Sequence, residues 1–360
     1  MKSFIFYSKF IPNFYSCHDF FKFFQAGFGG EPGLIDRTNT INLFSNKNLK
    51  TLKPFKFVNE SRCLDELCNL RACDIISQEK ETFVLWSGGI DSSVALCSLL
   101  KNSSLSWQKH NLKIVFNDFT VYENKMFLDF LQKHFESTFI HINYDYILPH
   151  LSKLLNGNQI IVTGEMGDQI MGNHFSFVNP DVADKKWNDK DILTIYYKLN
   201  KKFKDSGILL EEVDFDNVIS VAELLNSKCP FKVENIFDFL TWLNISITWD
   251  FNCNRYILPG IPRTNLYNFF DTYEFQNWGI CNHERKFKDI KRSEYKKEFK
   301  EYMFEFIKES FIYDMKKRTS PGTSSSIDKN NKNVIIAIDD SFKFYFNTKI
   351  DKLLCNRFLR

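Results

Sequence analysis

Between Glu81 and Thr163 short apolar runs alternate with longer amphipathic stretches, and this alternation limits the possible folds more than any other feature of the chain. The runs at 82–86, 112–116, 138–142 and 159–163 have the length of buried strands, whereas 91–101, 123–135 and 146–155 carry helical periodicity. Strands joined by helical crossovers pair in parallel, and a parallel sheet needs helices over both faces. The expected fold is α/β, a doubly wound parallel sheet followed by a mainly helical region. Ligands of such sheets bind beyond the carboxyl ends of the strands, so chemistry is expected just after Trp86, Phe116 and Thr163.

After Trp86 comes Ser87-Gly-Gly-Ile-Asp-Ser-Ser93, placed between a strand and a helix. Gly88 and Gly89 let the backbone approach a polyanion, and the helix that follows points unpaired N–H groups and its positive dipole end at the same place. Ser87, Ser92 and Ser93 add hydroxyl donors. Asp91 is out of place beside phosphate unless Mg²⁺ bridges the two. The run at 159–163 leads into a second loop, Gly164-Glu-Met-Gly-Asp-Gln-Ile-Met-Gly172. Across the strand ends it brings Asp168 towards Asp91, and two carboxylates facing a triphosphate make a magnesium site.

The first loop resembles the signature Ser-Gly-Gly-x-Asp-Ser of the PP-loop ATP pyrophosphatases, which cleave ATP between its α and β phosphates. The second is similar to the loop Gly-Glu-Gly-x-Asp-Glu-x-x-Gly of the asparagine synthetases and their relatives. Gly164, Glu165, Asp168 and Gly172 match it, whereas Met166 stands for a glycine and Gln169 for the second acid. The likeness covers roughly residues 80–175, by motif and context. It implies an adenine nucleotide alpha hydrolase-like domain that uses ATP and Mg²⁺, with Ser87, Gly88, Gly89, Asp91, Ser92, Ser93 and Gly164 at the nucleotide and Asp91 and Asp168 at the metal. A substrate carboxylate, aspartate or a similar acid, would be adenylated and passed to ammonia or another amine, with Glu165 taking the amine's proton. The family also sets a lysine against pyrophosphate. The candidates are Lys296, Lys297, Lys300, Lys316, Lys317 and Arg318, and the assignment falls on Lys300 and Lys317 beside Glu165 and Asp168.

Glutaminase chemistry in that family rests on a cysteine directly after the initiator methionine. This chain begins Met1-Lys2-Ser3 and its first cysteine is Cys17. The amine source is therefore expected to be ammonia or a separate amidotransferase. A PP-loop enzyme of tRNA or nucleobase modification is the alternative, but its usual cysteine pairs or zinc-binding cysteines are missing.

The division expected from the sequence is a region 1–78 of unassigned role and a synthetase-like domain 79–315, with core 79–178 and helical part 179–315. A flexible linker 316–333 and a terminal hairpin or tail 334–360 follow, the hairpin from runs at 334–338 and 342–346. In the first region a helix is expected at 64–76, and the glycines of 27–33 make a turn, since Pro32 breaks the dinucleotide pattern and no Gly-Lys-Ser/Thr follows. Further helices are expected at 192–203 and 295–311, and a buried one at 236–249.

Net charge is +3 from 47 basic and 44 acidic side chains, too little for a field that holds nucleic acid. The basic stretch between Arg285 and Lys300 reads as a solvated helix face, with a tRNA-facing patch as its alternative. Thirty-nine phenylalanines reflect compositional drift rather than base stacking. Nine cysteines without a CxxC pair point to a reducing, cytoplasmic setting, and Cys63, Cys68 and Cys73 read as buried structural thiols. No stretch is apolar for long enough to span a membrane.

Overall fold

In the computed structural model, residues 4–6, 36–38, 40, 54–142, 158–172, 180–199, 211, 213–254, 263–291, 294, 296–315 and 336–338 are described. The first half contains β1 (Phe4–Phe6), α1 (Leu64–Ile76), β2 (Thr82–Leu85), α2 (Ile90–Asn102), α3 (Leu105–Asn111), β3 (Leu112–Phe116), α4 (Asp118–His134) and β4 (Thr138–His141). Then come β5 (Ile160–Thr163), α5 (Gly167–Ile170), α6 (Pro180–Ala183), α7 (Lys190–Leu199), α8 (Phe215–Asn226) and α9 (Ile236–Leu243). A π-helical segment (Asn244–Thr248) joins α9 to α10 (Trp249–Asn254). The rest comprises β6 (Leu266–Asn268), α11 (Tyr273–Cys281), α12 (His283–Lys291), α13 (Lys297–Ile307), α14 (Phe311–Asp314) and β7 (Ile336–Ile338).

Five strands form one parallel sheet in the order β4-β3-β2-β5-β6. The chain leaves β2 towards β3 and β4, then returns to place β5 on the other flank of β2. The reversal opens a crevice at the carboxyl ends of β2 and β5. Alternate residues of the strands face opposite sides: Val84, Ile114, Ile160 and Val162 join the main core with the helices, while Phe83, Val115 and Ile161 form a second cluster. The helix expected at 146–155, which was to cover a face of the sheet, lies outside the described residues. So do the turn at 27–33, the linker 316–333 and the run 342–346.

Two expectations give way to non-local pairing. The run at 334–338 does not start a local hairpin: Ile336–Ile338 pairs antiparallel with Phe4–Phe6. The region expected to be helical supplies a fifth strand, because Leu266–Asn268 adds to the exposed edge of β5. Three residues with no apolar run give no periodic signal. The helix expected at 295–311 ends at Ile307, where Lys308 turns left-handed at φ 61°. Of the three regularly spaced cysteines only Cys68 is buried, Cys63 and Cys73 being exposed. The five-residue step turns them to different faces of α1.

The chain before the sheet is built into the same core. Leu64, Leu67, Cys68, Ala72 and Ile75 of α1 pack there. Arg37 is buried against the π-helical segment, where it donates to the Ile245 carbonyl (2.7 Å) and to Gln276 Oε1 (2.7 Å), lies 3.6 Å from Asp250 and covers the Trp249 ring. Its own backbone N–H donates to the Ser246 carbonyl. On the other side of the helical layer His283, stacked on Phe231 at 4.1 Å, shares a 2.7 Å hydrogen bond with Asp238 and ties α12 to α9. No described helix is long and apolar enough to cross a membrane.

Replacing Arg37 with methionine leaves Asp250 buried without its guanidinium partner. The expected loss is about 3–5 kcal/mol, as for other broken buried pairs, read as the change in unfolding free energy in a urea titration.

Candidate active site

The first loop is held in place from below and from the side. Gly88 adopts φ 77°, and a Cβ there would stand 2.9 Å from the Thr120 carbonyl, so a side chain at this position is excluded twice over. Thr120 Oγ1 donates to the Trp86 carbonyl (3.1 Å) and Asn124 Nδ2 to the Gly88 carbonyl (3.4 Å). Asn117 caps α4 by accepting from the Thr120 N–H at 3.0 Å, so this helix begins at Asp118, ahead of its expected start at 123. Within the loop Ser92 Oγ accepts from the Ser87 N–H and donates to the Gly89 carbonyl, both at 3.1 Å. Ser87 Oγ lies 3.0 Å from Ser92 Oγ. Gly89 is the N-cap of α2, whose first-turn N–H groups have no partner inside the helix.

Ser93 behaves differently from its neighbours. Its hydroxyl is buried and accepts from Trp86 Nε1 at 2.9 Å, so it braces the loop from the core side. Ser87 and Ser92 remain the hydroxyls nearest the loop's own backbone turn.

The second loop presses directly on the first. A Cβ on Gly164 would fall 2.4 Å from the Ser92 nitrogen, and one on Gly167 2.4 Å from Asp91 Cγ. Only glycine permits this approach. Thr163 Oγ1 donates to Asn268 Oδ1 (2.8 Å) and accepts from the Glu165 N–H (3.2 Å), which fixes where the half-buried Glu165 leaves β5. Asn268 in turn donates to the Cys253 carbonyl at 2.8 Å, so β6 and α10 support the loop. Met166, at the position where the resembled loop carries glycine, takes the left-handed conformation with φ 77° and is buried. A left-handed residue with a side chain costs about 1–2 kcal/mol, which the burial of the methionine offsets.

Asp91 and Asp168 converge on one cation. The ammonium of Lys296, only 4% exposed, pairs with Asp91 Oδ1 and lies 2.7 Å from Asp168 Oδ1. Lys296 itself is left-handed at φ 50°, immediately before α13. The lysine that the fold brings to these carboxylates is thus Lys296. Lys300, one turn further on, donates to the Tyr313 carbonyl at 3.0 Å, and Lys317 lies outside the described residues. Nothing in the sequence separates Lys296 from its neighbours, because its burial arises from elements hundreds of residues apart.

The basic stretch is therefore not wholly a solvated face. Lys286, 2% exposed, donates to the Ile170 carbonyl at 2.6 Å and to that of Gly279. Burial lowers its ammonium from an ordinary 10.5 to about 7, against the pull of the Glu298 carboxylate. Arg285 lies 3.2 Å from the buried Glu298.

Two half-exposed carboxylates sharing a cation position suit Mg²⁺, which takes hard oxygen ligands and commonly uses only one or two protein carboxylates beside phosphate and water. Among the described residues no group of three or more His, Cys, Asp or Glu side chains could hold a metal alone. Phosphate oxygens would have to complete the shell. In comparison with known proteins, the chain matches no family model and no curated protein.

Lys286 gives a pH-dependent contribution to stability. Below pH 7 both folded and unfolded chains bind its proton and the fold carries a buried charge. Between about 7 and 10.5 the folded chain has released the proton and the unfolded chain has not, so stability from this group rises with pH over that window. Unfolding free energies from pH 6 to 10 are expected to climb in the wild type relative to Lys286→Met, and parallel curves would refute the assignment.

Proposed function

We propose that the chain is an ATP-dependent, AMP- and pyrophosphate-forming ligase of the PP-loop type, similar to asparagine synthetases, which joins a carboxylate to ammonia or another amine. The observation that carries this reading is the convergence of Asp91 and Asp168 on one ammonium at the carboxyl ends of two adjacent parallel strands. A two-glycine loop at a helix N-terminus, an acidic pair and a buried lysine in one crevice are the parts needed to hold a triphosphate and stabilise a departing pyrophosphate.

In this reading the N–H groups at the start of α2, with Ser87 and Ser92, hold phosphate oxygens. Asp91 and Asp168 hold Mg²⁺, which when bound neutralises phosphate charge as the α–β bond breaks. Lys296 exchanges its carboxylate partners for phosphate oxygens and follows the charge that accumulates on pyrophosphate. An oxygen of the substrate carboxylate forms a bond to the α phosphorus as the bond from that phosphorus to the bridging oxygen breaks. The amine then attacks the acyl carbon, AMP leaves with the bonding pair, and Glu165 accepts the proton that the nitrogen sheds.

Asp91→Asn and Asp168→Asn are each expected to lower magnesium-dependent pyrophosphate release by at least about 10²-fold, and Lys296→Met by about 10²–10³, the usual effect of removing one group that stabilises developing charge. Pyrophosphate assayed with ATP and a panel of carboxylates checks this; a wild-type protein that neither binds ATP nor releases pyrophosphate sinks the reading.

Glu165→Gln separates the two half-reactions. Exchange of labelled pyrophosphate into ATP should persist while amide formation falls about 10²–10⁴-fold. Equal losses in both would make Glu165 a loop-shaping residue and remove it from proton transfer.

A further inference from the structure

Two lysines of one basic stretch grip the acidic loop at positions two residues apart. Lys296 meets it at Asp168, and Lys286 at the Ile170 carbonyl. Ile170 closes α5, the short helix that carries Asp168, and Gly279 lies in the last turn of α11. The last carbonyls of a helix lack partners within it, and an ammonium satisfies them by charge as well as by hydrogen bonding. α11 comes so near that a Cβ on Gly279 would stand 2.9 Å from the Ile170 oxygen. Glycine leaves that oxygen open to the lysine, and one Nζ closes the ends of both helices.

Holding two carbonyls with a buried ammonium is costly, since a charge out of water needs full compensation. A hydrophobic contact between α5 and α11 would hold the fold more cheaply. What the lysine adds is direction: it fixes the end of α5 along the line of a hydrogen bond, and with it the register of Asp168 against Asp91. His283, three residues earlier, pins the start of α12 to Asp238, so the lysine comes from an anchored helix.

We propose that Lys286 is a positioning residue for the reaction. It sets the loop 164–172 so that Asp168 and Glu165 face the first loop, and it touches neither nucleotide nor metal. This inference rests on the ligase reading above.

The test uses the full chain and the variant Lys286→Met, with Gly279→Ala as a second route to the same contact. In nucleotide-free protein, hydrogen exchange in peptides covering 164–172 is expected to quicken at least about tenfold, with peptides covering β2 and β3 unchanged, as for a local opening. The Mg²⁺ concentration that half-saturates ATP binding is expected to rise about 10–100-fold, the size seen when a group that orients a metal ligand is removed. A purely structural lysine would lower the melting temperature and leave magnesium half-saturation of the folded fraction within twofold of wild type. The proposal stands only if local exchange and magnesium dependence both move, and any other combination overturns it. Should Lys286→Met fail to fold, Gly279→Ala decides on the same two measurements. A wild-type chain that binds no ATP with Mg²⁺ defeats the ligase reading, and the exchange measurement then decides by itself whether the clamp exists.

Discussion

The carboxyl edge of the sheet depends on β2 having parallel neighbours from two different parts of the chain. β3 follows it after one helical crossover, and β5 arrives from the opposite flank after β4 has been laid down. This reversal lets two loops meet end to end, since loops after neighbouring strands of an uninterrupted winding would be drawn to opposite faces. Gly164 and Gly167 then allow the meeting to become backbone contact, with no side chain held between the loops.

Bringing two aspartates together creates a repulsion that the fold must answer. The answer is an ammonium delivered from 205 residues further along the chain, buried at the threshold of α13. Lys296 therefore ties the helical region to the sheet through charge, while Lys286 does so through two helix ends. The acidic loop is held by both, and its other end is held by Thr163 and Asn268.

The sheet and its two loops were legible because each depends on local sequence. Four short apolar runs bounded by helical stretches define four parallel strands, and a glycine pair between strand and helix marks a loop whatever lies elsewhere. The remaining parts depend on distant contacts. Leu266–Asn268 is a strand only because β5 offers it an edge. Phe4–Phe6 and Ile336–Ile338 pair across nearly the whole chain, where the sequence suggested a local hairpin. Lys286 and Lys296 sit in a run of ordinary surface composition, and burial alone distinguishes them. Ser93 matches the motif by type, yet its hydroxyl is taken by Trp86, a partner that a linear pattern does not reveal.

The π-helical segment at Asn244–Thr248 has a consequence for how this fold tolerates insertion and deletion. A π turn holds one more residue than an α turn spanning the same height. Removing a single residue there would restore a regular α-helix and rotate everything after it by about 100°. Trp249 would swing away from Asp271, to which its indole donates at 2.8 Å, and the Cys253 carbonyl would leave Asn268. The extra residue thus acts as a spacer that sets the phase between a fully buried helix and the edge strand. A deletion of one codon more than seventy residues downstream of the acidic loop would disturb that loop by rotation alone, with every side chain of the site still present.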